Sequence, residues 1–526
     1  MMNEYKQTLD RVNSIQLTEN GAIGLSTSGQ NLVDLNFRVP SNHNNVERED
    51  VIAFANALKE DMVTTVKWLF YLRDIREGLG ERDSFVNLFL ALNAYDEEVA
   101  MKVLPLIPEF GRWKDVVDIL SIVGEGTDIS SAICTLISEQ IMEDLLNMKE
   151  GKSVSLLAKW LPSINASKKA RKMAMRIANK LELYYGAYRK MLSALRKYID
   201  VTEVKTCGDR WNEIDYNKVS SNANARYVKA FMKHDPERRK KYLDALATPT
   251  VAGAVMHASN LYPYEVYAKY NNGHCYCNNC RVTVDQGIEA LWANLKSIPT
   301  TGNTMVVCDG SGSMETKIKG TNNIQAIDVS RSLSVFFSER NTGEYKDKVI
   351  EFSRYPRYID LSGCKSLAEK YSVMNKYDDC SNTNLEKVFD LLLETALKHN
   401  IPQSELPQRI LIVSDMEFDR ACEFTTSRYS DNTHTDVMAK YQTLFETIKQ
   451  RWTDAGYTMP NIVFWNVNSR TKTIPVSSNE VGVVLVSGFS VNNVKMVLSG
   501  EIDPWTSLKS VLDSDRYSVI EEVLKN

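Results

Sequence analysis

Long apolar runs are missing from this 526-residue sequence, and none reaches the roughly 20 residues that a membrane-spanning helix needs. The start, Met1–Asp10, is polar and shows no apolar core of a secretory signal. Histidine is scarce, with six in all, and neither a Ser–His–Asp nor a Cys–His arrangement has a recognisable setting. No phosphate-cradling P-loop is present. Nine cysteines, an odd number and mostly scattered, argue against a disulfide framework. These absences exclude a helical membrane protein and a disulfide-stapled secreted module, and they leave little for catalysis. The expectation is a cytoplasmic chain with reduced thiols, no membrane partner and no enzymatic activity. At 43% hydrophobic and 25% charged, the composition is ordinary, with room for two or three domains.

A net charge of −4 hides an asymmetry. Between Lys152 and Tyr242 stand 22 Lys or Arg against eight Asp or Glu, a local balance of +14 that leaves −18 for the remainder. The cations cluster as Lys168, Lys169, Arg171, Lys172 and Arg176, then Arg189, Lys190, Arg196 and Lys197, then Arg238 to Lys241. Aromatics are interleaved: Trp160, Tyr184, Tyr185, Tyr188, Tyr198, Trp211 and Tyr227. Cations neutralise phosphates, and rings offer stacking platforms for unpaired bases. One by one, these residues read as a solvated helix face or as core aromatics. Together, on an otherwise acidic chain, they read as an RNA-binding surface, with the first nine cations as the candidate contacts.

Residues 49–299 read as mostly helical, after an irregular N-terminal arm over 1–48. Asp50–Arg73 carries Ile52, Phe54, Leu58, Met62, Val66 and Leu69 on one side and predicts a single long amphipathic helix. Glu81–Leu92, Glu97–Leu106, Trp113–Ile122, Ser130–Asn147, Val154–Leu161, Ser167–Tyr184 and Ala187–Tyr198 continue in shorter pieces with Gly and Pro joints. This punctuation predicts an irregular, diverged HEAT-like solenoid. Arg73–Arg82 alternates Arg, Asp and Glu around two glycines. It reads as an ion-pair turn between helices, with a phosphate contact as the alternative.

The most informative stretch is Val306-Val307-Cys308-Asp309-Gly310-Ser311-Gly312-Ser313-Met314, a buried-type strand ending in an Asp-x-Ser-x-Ser loop. Three hard oxygen donors at alternate positions suit Mg²⁺, or Mn²⁺ or Ca²⁺, rather than zinc. Thr383 stands before the apolar helix Leu385–Leu397, and Asp415 closes a second buried strand, Arg409–Asp415. The helix Asn322–Glu339, the strand Lys348–Phe352 with Tyr358–Leu361 as a hairpin partner, the helix Thr435–Thr453, the strands Asn461–Val467 and Val481–Ser487, and closing helices in Trp505–Leu524 complete an alternating pattern. Such alternation predicts a doubly wound parallel sheet over residues 300–526, with ligands at its carboxyl edge. The fold class is therefore α + α/β.

Asp309, Ser311, Ser313, Thr383 and Asp415 together resemble the von Willebrand factor A (vWA) domain and its metal-ion-dependent adhesion site. That resemblance implies serines and threonine contacting a divalent metal directly or through water. It also implies aspartates at or behind the metal, and an open coordination position for a partner's carboxylate. The whole layout is similar to the Ro autoantigen family with its TROVE module, and more closely to bacterial and phage proteins of the same layout. Thr18-Glu19-Asn20-Gly21-Ala22, the segment Leu72–Arg82, Pro108-Glu109-Phe110-Gly111-Arg112-Trp113 and Asn217–Ala223 carry this second resemblance. It implies helical repeats closed into a ring by the vWA domain, binding small structured RNAs or single-stranded RNA tails.

His274-Cys275-Tyr276-Cys277-Asn278-Asn279-Cys280 gathers three thiols and an imidazole. The spacing is too cramped for four tetrahedral corners, so zinc at Cys275, Cys277 and Cys280 is disfavoured against a loop of free thiols, and would need Cys207 or another distant ligand. Two functions stay open: a Ro-like RNA-binding protein, and an assembly component, for instance of a phage particle, that uses the metal site on proteins without nucleic acid.

Overall fold

The structure, a computed structural model, describes residues 13–43, 45–199, 201–247, 254–271, 282–299, 303–319, 321, 323–352, 356–376, 385–418, 444–498 and 503–525. Their contacts group into two compact units, the described parts of Met1–Asn45 with Met256–Asp513 and of Val46–Val255 with Ser514–Asn526. The expected divisions at 48/49 and 299/300 run linearly along the chain. The contacts instead join the N-terminal segment and residues 256–299 to the sheet, and the last helix to the helical unit.

The first unit is built on a six-stranded sheet. Its strands follow an N-terminal hairpin of β1 (Ile15–Leu17) and β2 (Ile23–Leu25). They are β3 (Thr304–Asp309), β4 (Lys348–Phe352), β5 (Arg357–Asp360), β6 (Arg409–Ser414), β7 (Asn461–Asn466) and β8 (Val483–Ser487). The order is β5-β4-β3-β6-β7-β8, parallel throughout except for β5, which pairs antiparallel with β4 as the expected hairpin. Every residue of β3 and β8 is buried, as expected of strands covered on both faces. The chain leaves β3 toward β4 on one side and returns to β6 on the other. By the general rule for such sheets, that reversal marks the carboxyl ends of β3 and β6 as the position of the ligand-binding crevice.

The helix Ala326–Glu339 packs on β3 and is buried from Ala326 through Ser338. It begins four residues later than its apolar spacing suggests, because Asp328 accepts a hydrogen bond from the Gln325 N–H (3.0 Å) and fixes the start there.

The described part of the N-terminal segment, residues 13–43, is not irregular. Ile15 and Leu17 pair with Leu25 and Ile23 around a turn in which Gly21 adopts φ +86°. Leu25 then bridges antiparallel to Ile474, and the helix Asn31–Arg38 packs against β8. The alternating apolar residues around Asn20-Gly21 were a legible hairpin signal.

The second unit is helical. The single helix expected over Asp50–Arg73 is two, Arg48–Glu60 and Met62–Arg73, because Asp61 turns extended and caps the second by accepting from the Thr64 N–H (2.9 Å). Trp113–Ile122 matches its expected bounds, whereas Val154–Leu161 shrinks to Leu157–Trp160. No helix among the described residues is long and apolar enough to cross a membrane.

The Leu72–Arg82 and Pro108–Trp113 segments meet as a buried charged knot. Arg73 Nε donates to Asp115 Oδ2 at 2.7 Å, with both side chains fully buried. Asp115 also accepts from the Arg112 N–H (2.9 Å). Asp74 accepts from Arg516 Nε (2.9 Å) and from the Tyr517 hydroxyl (3.3 Å) on the final helix, Asp515–Lys525. A methyl group at Gly111 would sit 2.3 Å from Asp115 Oδ2, so only glycine lets the two segments approach this closely. The ion-pair turn, rather than the phosphate contact, is what Arg73 makes.

A buried pair that loses one partner strands a charge, at a cost of about 3–5 kcal/mol. Asp115→Ala should therefore lower the urea midpoint of the helical unit sharply, while Arg73→Met with Asp115→Leu recovers most of the loss. Equal midpoints for the single and double variants would refute the pair's role.

Candidate functional site

Asp309 is the last residue of β3 and Asp415 the first after β6, so the parallel pairing of those strands brings both carboxylates to the crevice. Asp309 is fully buried. Its Oδ1 accepts from the Ser311 N–H (2.9 Å) and its Oδ2 from the Ser414 hydroxyl (2.5 Å). The Ser311 and Ser313 hydroxyls lie 2.9 Å apart. Met314 plugs into the core and anchors the turn that holds them. Asp415 accepts from the Glu417 N–H through Oδ1 (3.2 Å), while its buried Oδ2 has no hydrogen bond. Between them Met416 takes φ +64°, a left-handed conformation that a non-glycine residue keeps only where its surroundings enforce it.

Burial disfavours charge on both carboxyls. Burial pushes the Asp309 carboxyl well above the usual carboxylate range. Burial does the same to Asp415, and the neighbouring Asp309 charge raises it further. A third acid, Glu351 on β4, lies against Gly310, where an added methyl group would meet its Oε1 at 2.5 Å, and Arg331 faces it at 3.6 Å. Two buried carboxylates, one oxygen without a hydrogen bond and two adjacent hydroxyls form a hard-oxygen set that fits a divalent cation. No group of three His, Cys, Asp or Glu side chains placed to hold a metal exists among the described residues, so any ion here relies on hydroxyls as well as carboxylates. Thr383 and the cluster Cys275, Cys277 and Cys280 lie outside the described residues; Cys207 is exposed.

Sequence reasoning missed the wall of this crevice. Glu417 is fully buried, and its carboxylate accepts from the backbone N–H groups of Glu19 (2.9 Å), Arg470 (2.8 Å) and Thr471 (2.8 Å) and from the Thr471 hydroxyl. The Thr18 hydroxyl donates to the Phe418 carbonyl (2.6 Å), and the Asn20 amide to the Glu417 carbonyl (2.7 Å). One carboxylate thus ties the hairpin turn and the loop after β7 to the end of β6. Only the Thr18–Ala22 motif hinted at this; nothing in local spacing connects residues 398 positions apart.

In the helical unit, Lys168–Lys180 and Tyr185–Ile199 form two packed helices. Lys168, Lys169, Arg171, Lys172, Arg189, Lys190 and Lys197 are exposed. Two of the nine expected contacts have other uses. Arg196 donates to the Ala158 carbonyl (2.8 Å), the Leu161 carbonyl (2.6 Å) and the Ser163 hydroxyl (3.3 Å), and Arg176 donates to Ser130. Their guanidiniums hold the helices in place, as periodicity alone could not reveal. Tyr184 stands 75% exposed between the helices, and Tyr185 and Tyr198 are also exposed. Tyr188 is core, donating to the Pro162 carbonyl (3.0 Å).

Residues 303–518 match a family described as a domain of unknown function (DUF7788). Residues 18–133 and 166–297 match a second (DUF2828). The two matches fall on the sheet-bearing C-terminal sequence and on the largely helical sequence before it. A relative, an uncharacterised protein of Acanthamoeba polyphaga mimivirus, is 27% identical over 535 residues, spanning 95% of this chain and 87% of that protein.

Hydrogen bonds to a charged group contribute about 1.5–3 kcal/mol. Glu417→Ala should accordingly destabilise the sheet unit by at least about 2 kcal/mol and release the hairpin, so that limited proteolysis cuts first within residues 13–25. An unchanged cleavage pattern would show that Glu417 does not hold that segment.

Proposed function

We propose that this chain is a non-enzymatic RNA-binding protein of Ro-like layout. In this reading the helices form a HEAT-like solenoid that binds structured RNA or single-stranded tails. The six-stranded sheet belongs to a vWA domain whose Asp309, Ser311, Ser313, Thr383 and Asp415 hold Mg²⁺ or a similar ion and, through it, a partner's carboxylate.

The observation that carries the RNA half is the set of seven exposed cations on two neighbouring helices, none of them in an ion pair among the described residues. Cations already paired to carboxylates gain little from a phosphate; unpaired ones release counterions on binding. Exposed Tyr184 and Tyr185, at the joint between those helices, add faces on which unpaired bases stack. The metal half is supported by the buried, mutually repelling carboxylates at the crevice, which a divalent cation would relieve.

Reversing Lys168, Lys169, Arg171 and Lys172 to Glu should weaken binding of a structured RNA with a single-stranded 3′ tail. Each lost phosphate contact removes about 0.7 from the salt slope on single strands, so the slope should flatten by roughly 3. Absence of binding even at low salt would sink the RNA reading and favour an assembly role.

Mg²⁺ or Mn²⁺ should raise the thermal midpoint of the wild type, by the equivalent of about 2.7 kcal/mol at a hundredfold excess over Kd. Asp309→Asn should abolish that shift while leaving the metal-free midpoint equal or higher, because it removes one of two buried like charges. A metal shift that survives the substitution would place the ion elsewhere.

A further inference from the structure

Arg470, in the loop after β7, presents its guanidinium between two acids. It pairs with the Glu19 carboxylate, and an Nη stands 3.7 Å from Asp415 Oδ2, the buried oxygen that has no hydrogen bond. The bases of both side chains are fixed by the same group. The Glu417 carboxylate accepts from the N–H of Glu19 at 2.9 Å and from the N–H of Arg470 at 2.8 Å. The tips reach solvent: the Arg470 side chain is 36% exposed and that of Glu19 53%. A guanidinium thus stands at the rim of the crevice, and a carboxylate lies on it in a solvent-exposed pair weak enough to exchange.

The surroundings give that guanidinium a task. Asp309, Glu351, Asp415 and Glu417 are all buried around the crevice. An incoming carboxylate would meet that acidic surrounding, which Arg331 opposite Glu351 offsets only in part. Arg470 adds a cation at the rim with fork-shaped donors suited to a carboxylate. The group that already rests on it is a carboxylate, which fits this position better than a more highly charged phosphate would.

We propose that Arg470 is the second recognition point of this site. It takes one carboxylate of an acidic protein partner beside the metal, and Glu19 is the chain's own stand-in for that group, displaced when the partner binds. The inference rests on the metal reading given above and adds the residue that selects the partner.

Two variants separate this role from a structural one. Arg470→Ala and Glu19→Gln break the same ion pair, so a purely structural pair predicts effects of the same sign. A receptor with a stand-in predicts opposite signs. Calorimetric titration with Mn²⁺ alone comes first, followed by titration with an acetylated, amidated Gly-Glu-Gly peptide in saturating Mn²⁺. Mn²⁺ should bind the wild type, and bind Arg470→Ala at least as tightly, because a neighbouring positive charge has gone. The peptide should bind Glu19→Gln more tightly than the wild type, by up to about fivefold given the weakness of exposed pairs, and should lose most of its affinity for Arg470→Ala.

If the wild type takes no Mn²⁺, the metal reading fails and this inference falls with it. If Mn²⁺ binds but the peptide does not, or binds Arg470→Ala as well as it binds the wild type, the Arg470 assignment alone is overturned. Arg470-dependent binding of a short oligonucleotide in place of the peptide would also overturn it.

Discussion

Two carboxylates buried at the ends of adjacent parallel strands govern the architecture around them. Asp309 and Asp415 are brought to one crevice by the β3–β6 pairing, and burial disfavours charging both. The local structure answers that cost with donors. The Ser311 N–H and the Ser414 hydroxyl serve Asp309, the Glu417 N–H serves Asp415, and Met416 accepts a left-handed backbone so that this loop can turn. What remains is a buried Asp415 oxygen without a hydrogen bond, beside the mutually bonded Ser311 and Ser313 hydroxyls. That surplus of acceptors makes the crevice a candidate for a cation.

Glu417 and Arg73 show the same solution at two other places. In each case a charged side chain is buried among donors or a counter-charge drawn from segments far apart in sequence. Glu417 holds the hairpin turn and the loop after β7; Arg73 and Asp74 hold the Gly111 turn and the final helix. Removing any partner strands the rest, so these groups fix which segments meet more than they add net stability. Within Arg73–Arg82, which read either as an ion-pair turn or as a phosphate contact, Arg73 and Asp74 are therefore structural.

Much of the fold was legible because its cause is local. Apolar runs bounded by turn residues gave β3, β4, β6, β7 and β8, and the Asp-x-Ser-x-Ser loop marked the carboxyl end of β3. Trp113–Ile122 had its full bounds in its amphipathic spacing. Misplaced bounds arose where one side-chain cap outweighed periodicity, as with Asp61 splitting one expected helix and Asp328 delaying another. Among the cations, the sequence could count charge but could not tell Arg196, which braces three backbone and side-chain acceptors, from Lys197 beside it.

The sequence by itself determined the strand–helix alternation behind a mostly parallel sheet, the oxygen donors in its first loop and the concentration of positive charge in one region, since composition and short-range spacing carry all three. Tertiary structure alone decided that a hairpin near the start of the chain walls the crevice, that Glu417 pins it and that Arg470 reaches Asp415. It also decided which cations remain exposed. Those outcomes depend on contacts between residues separated by up to hundreds of positions, and no local pattern encodes a meeting of that kind.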